Sequence, residues 1–382
     1  MTPSAPTNRS AAPAGRAAAI HEQHGRGRDV PGDTWVHNLE AACALLIAFG
    51  CLISFATAAG CLNGAPAVHW IQDCLLTLPF PVLYFASGYL YQRYRSVRTP
   101  QAWAANLRRE AVVLLVPFAV FTVLSLAANG LAGDGRPLTP GNLLDALFVR
   151  PVAPLGYFPV CLILIAITPT AASRRNASRL LLGALALKAA IVVLLSAPAT
   201  APAAGQLPWI VKAVAESWIW FACGVGASLF QVLPLLRSRE KAWALGALWA
   251  AASVITFQAG WLGEASHAIL DAIGIAWLTS LFSSAFRSGA QNAFFGFVSR
   301  YTMALWLVAP VVLKLLVAGL TAAGLTATGA PAICLGAGIL AGFGAPVLIM
   351  AALERIGKLG FIVYPARYLP PAPVLIERKG VR

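Results

Sequence analysis

The chain has 382 residues, of which 59 % are hydrophobic and only 11 % charged, and its net charge is +14. Soluble domains carry about 25 % charged residues, so a mean hydropathy of +0.73 excludes an ordinary water-soluble globule and leaves lipid as the solvent. The positive charge does not imply nucleic acid, because the basic residues lie in short clusters between apolar runs and form no basic folded domain.

Residues 1–33 are rich in Ala, Pro, Gly and Arg and contain no apolar run. They cannot bury enough surface to fold and read as a disordered tail. The first apolar stretch, near Leu39, has no small-residue cleavage site at the right distance, so no signal peptide is expected.

Apolar runs of membrane-spanning length then recur. They are expected over 37–59, 69–91, 111–130, 153–171, 180–198, 208–233, 243–262, 266–285, 301–319 and 331–353. They are too long and too evenly apolar for barrel strands, so helices are predicted. Basic residues fix the orientation. The tail, the even-numbered loops and the C-terminal segment hold 23 of the 28, among them Arg93, Arg95, Arg108, Arg109, Arg174, Arg237, Lys241 and Arg355. The opposite loops hold only Arg136 and Arg150. That bias assigns the first side to the cytoplasm. The expected fold is an all-α integral membrane protein of about ten transmembrane helices, with both termini cytoplasmic. A ten-helix domain at 34–356 is followed by an interfacial tail at 357–382, whose aromatic, Pro-rich start suits headgroup depth.

Most of the seven cysteines fall inside apolar runs, and no CxxC pair occurs, so neither a metal site nor a disulfide framework is expected. Three basic residues fall within spans: Lys188, Lys212 and Lys314. Asp73, Glu216 and Asp271 also lie in outer halves. Charge at that depth suggests function, so Lys188, Lys212, Glu216, Asp271 and Lys314 are candidates for a polar substrate cavity. The alternative is pairing between helices and snorkelling; Lys212 and Glu216 share a helix face. His69 with Asp73, and His267 with Glu264 and Asp271, stand at outer helix ends, where a carboxylate on the same face can orient an imidazole. Each pair is a candidate base or a polar helix end.

Four segments in order carry a family likeness: WVHNLEAACALLIAFGCLISF (35–55), PFPVLYFASGYLYQRYR (79–95), LRREAVVLLVPFAVF (107–121) and WIWFACGVGASLF (218–230). A fainter fifth is PLGYFPVCLILIAI (154–167), with Gly156 where Trp is usual. Together they resemble the acyltransferase-3 family of membrane O-acyltransferases, in its fucose 4-O-acetylase-like branch. The resemblance implies transfer of an acyl group, usually acetyl, from cytoplasmic acyl-CoA to a hydroxyl of a cell-surface glycan or lipid-linked sugar in the bacterial inner membrane. It makes acyl-CoA the donor and implies no permanently bound cofactor.

On that likeness Ser87 and Gly88 lie near the cytoplasmic end of the second span, where Gly permits close approach of a helix or ligand. Arg93, Arg108 and Arg109 belong to a basic loop suited to CoA phosphates or to a positive-inside anchor. The family's basic residue in helix one falls on Glu40, its catalytic His on Cys51, and a second His, in helix nine, on Ala309. A Cys51 thiolate can in principle accept an acyl group, given a nearby base or cation. The missing His keeps a second reading open: a catalytically degenerate member acting in polysaccharide export or scaffolding. A small-molecule transporter is the third reading, although no internal repeat is visible.

Overall fold

The computed structural model describes residues 33–370, apart from 63, 98, 134, 197–205, 326–330 and 357. Apart from Asp33, the predicted tail lies outside the described residues. Within them the chain is all-α, with no strand. The helices are α1 (Thr34–Ala58), α2 (Pro66–Tyr94), α3 (Pro100–Ala132), α4 (Pro140–Phe148), α5 (Tyr157–Ile167), α6 (Arg174–Ser196), α7 (Trp209–Phe230), α8 (Arg239–Gln258), α9 (Glu264–Ala285), α10 (Ala293–Ala322) and α11 (Ala332–Arg355). Eight of these are long and apolar enough to cross a membrane: α1, α2, α3, α6, α7, α9, α10 and α11. Each of the ten predicted spans overlaps a helix. The two outside the eight are α8, 20 residues long with the charged first turn Arg239-Glu240-Lys241, and α5, with only 11 residues.

Local chemistry sets the ends. Thr99 accepts the Ala102 amide and Pro100 opens α3, which therefore starts eleven residues before the predicted 111. Asn292 caps α10 through the Phe294 amide, so that helix starts at Ala293, eight residues before the predicted 301. Both extensions carry arginines that read as loop in the sequence. Thr139-Pro140 starts α4, a short helix absent from the predicted spans. Two membrane helices are interrupted by π-turns, α2 at Ile71–Leu75 and α11 at Leu340–Gly344.

The shortness of α5 has a sequence cause. Thr168 precedes a proline and is extended, which stops the helix. The irregular backbone that follows finds its partners on α2. Tyr91 Oη donates to the Thr168 carbonyl at 3.0 Å. Gln92 clasps Ala171 on both sides, accepting from its amide at 3.2 Å and donating to its carbonyl at 3.0 Å.

The core lies where α1, α2, α5, α7 and α10 meet, around Trp35, Tyr89, Phe158 and Phe221. The pairs α2 with α7, α1 with α10, α6 with α7 and α8 with α9 pack most extensively. Outward faces of α6 and α8 remain apolar and exposed, with Leu182, Val193, Ile255 and Trp243, the last 78 % exposed. In a bilayer those faces meet lipid. Residues 358–370 of the C-terminal segment pack against the bundle. Val363 is fully buried, Tyr364 Oη donates to the Arg300 carbonyl at 2.7 Å, and Arg367 pairs with Glu354 at 2.5 Å.

Candidate functional site

A cavity of about 350 Å³ opens at the end of the bundle that carries most of the basic residues. This volume lies within the range of about 300–1,000 Å³ usual for small-molecule pockets. His37 and Glu40 of α1 line one side, Ser87 and Arg95 of α2 another, and Glu110 of α3 a third. Tyr157 and Cys161 of α5 and Thr302 and Trp306 of α10 complete the wall, and Val363–Ala366 cover it.

Its polar groups are ordered in pairs. His37 Nδ1 stands 3.2 Å from Glu40 Oε2, as residues three apart on a helix can. Ser87 Oγ and Tyr157 Oη are 2.6 Å apart. Glu110, 3 % exposed, receives Arg95 at 2.6 Å and Arg109 at 3.2 Å. Ser299 Oγ is buried at the wall with no hydrogen-bond partner among the described residues. The aromatic side is continuous: Tyr157 and Phe158 lie 4.7 and 5.0 Å from the Trp306 ring. The cover is fastened by Arg367 over the Tyr364 ring at 4.0 Å. Burial pushes the Tyr364 phenol up to about 12, against the opposing pull of Arg367.

The sequence-derived candidates divide. Ser87 lines the cavity; Gly88 faces away from it. A Cβ at Gly88 would lie 2.0 Å from the Phe221 carbonyl oxygen, so this glycine serves the approach of α7 and not that of a ligand. Arg93 is tied to Asp33, which also accepts from Tyr94 and from Tyr89 at 3.1 Å. Arg109 donates to Glu110 and to the Pro370 carbonyl, and Arg108 is exposed. The basic loop is thus largely engaged in intramolecular pairs. Cys51 does not line the cavity; it packs with Leu52, Phe55 and Leu313 nearer the opposite end. Lys314 lies within its electrostatic reach, a neighbour that the helix-one sequence alone does not reveal. Ala309 is fully buried. The space above Gly156 is taken by the Trp209 ring of α7, 2.7 Å from the missing Cβ.

The remaining candidates stand at the opposite end. His69 and Asp73 are both exposed, Asp73 lies inside the π-turn, and no hydrogen bond joins the two among the described residues. Lys314 donates to Asn129 Oδ1 at 2.5 Å. The other candidate cavity residues converge. Lys212 pairs with Glu216 at 3.8 Å, and buried Lys188 of α6 lies within electrostatic reach of Glu216 and of Asp271 on α9. Half-buried His267 lies one turn from Asp271.

Sequence reasoning missed His37, Glu110, Ser299 and the C-terminal cover as cavity components. The first had a signal, the His-x-x-Glu spacing. The others depend on long-range packing. In comparisons with family models, curated proteins and solved structures, none matches the chain.

Proposed function

We propose that the protein is an acyltransferase-3-like membrane enzyme that transfers an acyl group, most simply acetyl, from acyl-CoA to a sugar hydroxyl. One observation carries this reading. The resembling segments 35–55, 79–95, 107–121 and 154–167 are separated along the chain, yet each contributes to the wall of the same cavity. The remaining segment, 218–230, packs behind α2 through Gly88 and Gly224. On this reading the chain crosses the membrane ten times, α5 and α8 included, with its basic side and both termini in the cytoplasm.

The acyl-thioester end of the donor enters the cavity from that side, and the nucleotide stays at the basic rim. His37 is the base. In the tautomer whose Nδ1–H donates to Glu40, Nε2 takes the proton of the acceptor hydroxyl. The hydroxyl oxygen attacks the thioester carbonyl. The developing oxyanion receives a hydrogen bond from the hydroxyl of the Ser87–Tyr157 pair whose proton is not donated within the pair. The C–S bond then breaks, and His37 returns the proton to the departing thiolate. A base at this depth suits a lipid-linked sugar presented on the cytoplasmic side better than a finished outer glycan.

Cys51 favours a second reading, a degenerate member that exports or scaffolds a glycan, because it stands where the family has its catalytic His. The test is to add radiolabelled acetyl-CoA and a lipid-linked oligosaccharide extract to the purified protein. Label should bind, move to the oligosaccharide, and do neither in the cavity-filling variant Ser87→Phe. Absence of binding, together with flipping of a fluorescent lipid-linked sugar, would favour the second reading.

A further inference from the structure

A second hollow, of about 240 Å³, lies between α2, α6, α7 and α9, on the far side of α2 from the cavity above. It is walled by apolar side chains such as Phe85, Leu181, Phe230 and Ile275, and it is partly open. One hydroxyl reaches it. Thr279 is 1 % exposed, and its Oγ1 has no hydrogen-bond partner among the described residues. A threonine within a helix ordinarily donates to the carbonyl one turn back; Thr279 does not, and a buried hydroxyl left unpaired is costly.

The turn at the mouth of the hollow, Leu233–Leu236, is fixed to α9, since Ser280 Oγ donates to the Leu236 carbonyl at 2.6 Å. Cations gather there. Lys241 Nζ is held on the Leu235 carbonyl at 2.5 Å. Arg237 follows directly, with a buried Nε that has no hydrogen-bond partner among the described residues. Arg239 adds a third positive charge and Glu240 the one opposing charge in that stretch.

We propose that this hollow is a binding site for an anionic phospholipid. One acyl chain fills the groove, Thr279 donates to its ester carbonyl, and the phosphate lies against Arg237 and Lys241. Basic pockets between helices at a membrane face bind anionic headgroups in this way. The site is independent of the acyltransferase reading, because it shares no lining residue with the other cavity.

The test uses the full chain in nanodiscs of equal parts phosphatidylglycerol and phosphatidylcholine, followed by native mass spectrometry of retained lipid. Phosphatidylglycerol should be retained about tenfold over phosphatidylcholine. Arg237→Gln with Lys241→Gln should abolish that preference, and Thr279→Val should lower retention severalfold without changing it. Equal retention of the two lipids by the unaltered protein would overturn the proposal. In case the variants fail to fold, a photoactivatable phosphatidylglycerol on the unaltered protein should crosslink within 232–241 and 272–279. Crosslinks confined to other helices would overturn it as well.

Discussion

Gly88 and Gly224 face each other across the α2–α7 crossing. The Cβ that each lacks would fall 2.0 Å from a backbone carbonyl oxygen of the opposing helix, that of Phe221 for Gly88 and of Phe85 for Gly224. Backbone atoms cannot yield as the tip of a side chain can. Gly88→Ala and Gly224→Ala should therefore each cost about 1–3 kcal/mol by forcing the helices apart. A thermal melt in detergent reads this as a lowered Tm. Gly183→Ala, inside α6 with nothing within 4 Å, should not lower the Tm and should raise it slightly through helix propensity.

Asp33 is 4 % exposed and gathers Tyr89, Arg93 and Tyr94 at the start of α1. Asp33→Ala leaves these donors without their acceptor, and hydrogen bonds to a charged group are each worth about 1.5–3 kcal/mol. The variant should be destabilised by at least one such bond and so melt at a lower temperature. In a double-mutant cycle with Arg93→Ala the losses should fall short of additive, because both variants remove one interaction.

The C-terminal cover should respond to alkali. The Tyr364 phenol is raised from its ordinary value near 10 to about 12 by burial. Between these values the folded chain keeps the proton and the unfolded chain has lost it, so stability from this residue is intact below pH 10 and falls as pH rises toward 12. Tyr364→Phe should remove that component of the alkaline loss. The same variant lacks the bond to the Arg300 carbonyl, so amides of 358–370 should exchange faster in it at neutral pH.

The two histidines at the opposite end provide a contrast. His69 is exposed and His267 half-buried, and neither lines the basic-end cavity. His69→Ala and His267→Ala should keep acetyl transfer within about threefold of the unaltered rate, measured with labelled acetyl-CoA.

Much of the fold was written in the hydropathy. Every predicted span falls on a helix, because an apolar run about 20 residues long has few other stable forms in lipid. The edges were less visible. Arg108, Arg109 and Arg300 read as loop, yet they lie on helical extensions where arginine pairs with Glu110 and Glu354. For α5, the Thr168-Pro169 stop was legible but the compensating Gln92 clasp was not. The site was legible only in pieces. Ser87 was found through a segment likeness, whereas His37 was passed over as the start of a helix. Its value comes from Glu40 one turn on and from a cavity assembled by residues as distant as Tyr364, which no local spacing encodes.

The central claim is that His37, and not Cys51, is the base. The direct measurement is the initial rate of acetyl transfer from labelled acetyl-CoA to a lipid-linked oligosaccharide extract, for the unaltered protein, His37→Gln and Cys51→Ala. Loss of a general base costs about 10²–10⁴-fold, so His37→Gln should fall at least about a hundredfold while Cys51→Ala stays within about threefold. A collapse in Cys51→Ala with His37→Gln unaffected would contradict the account.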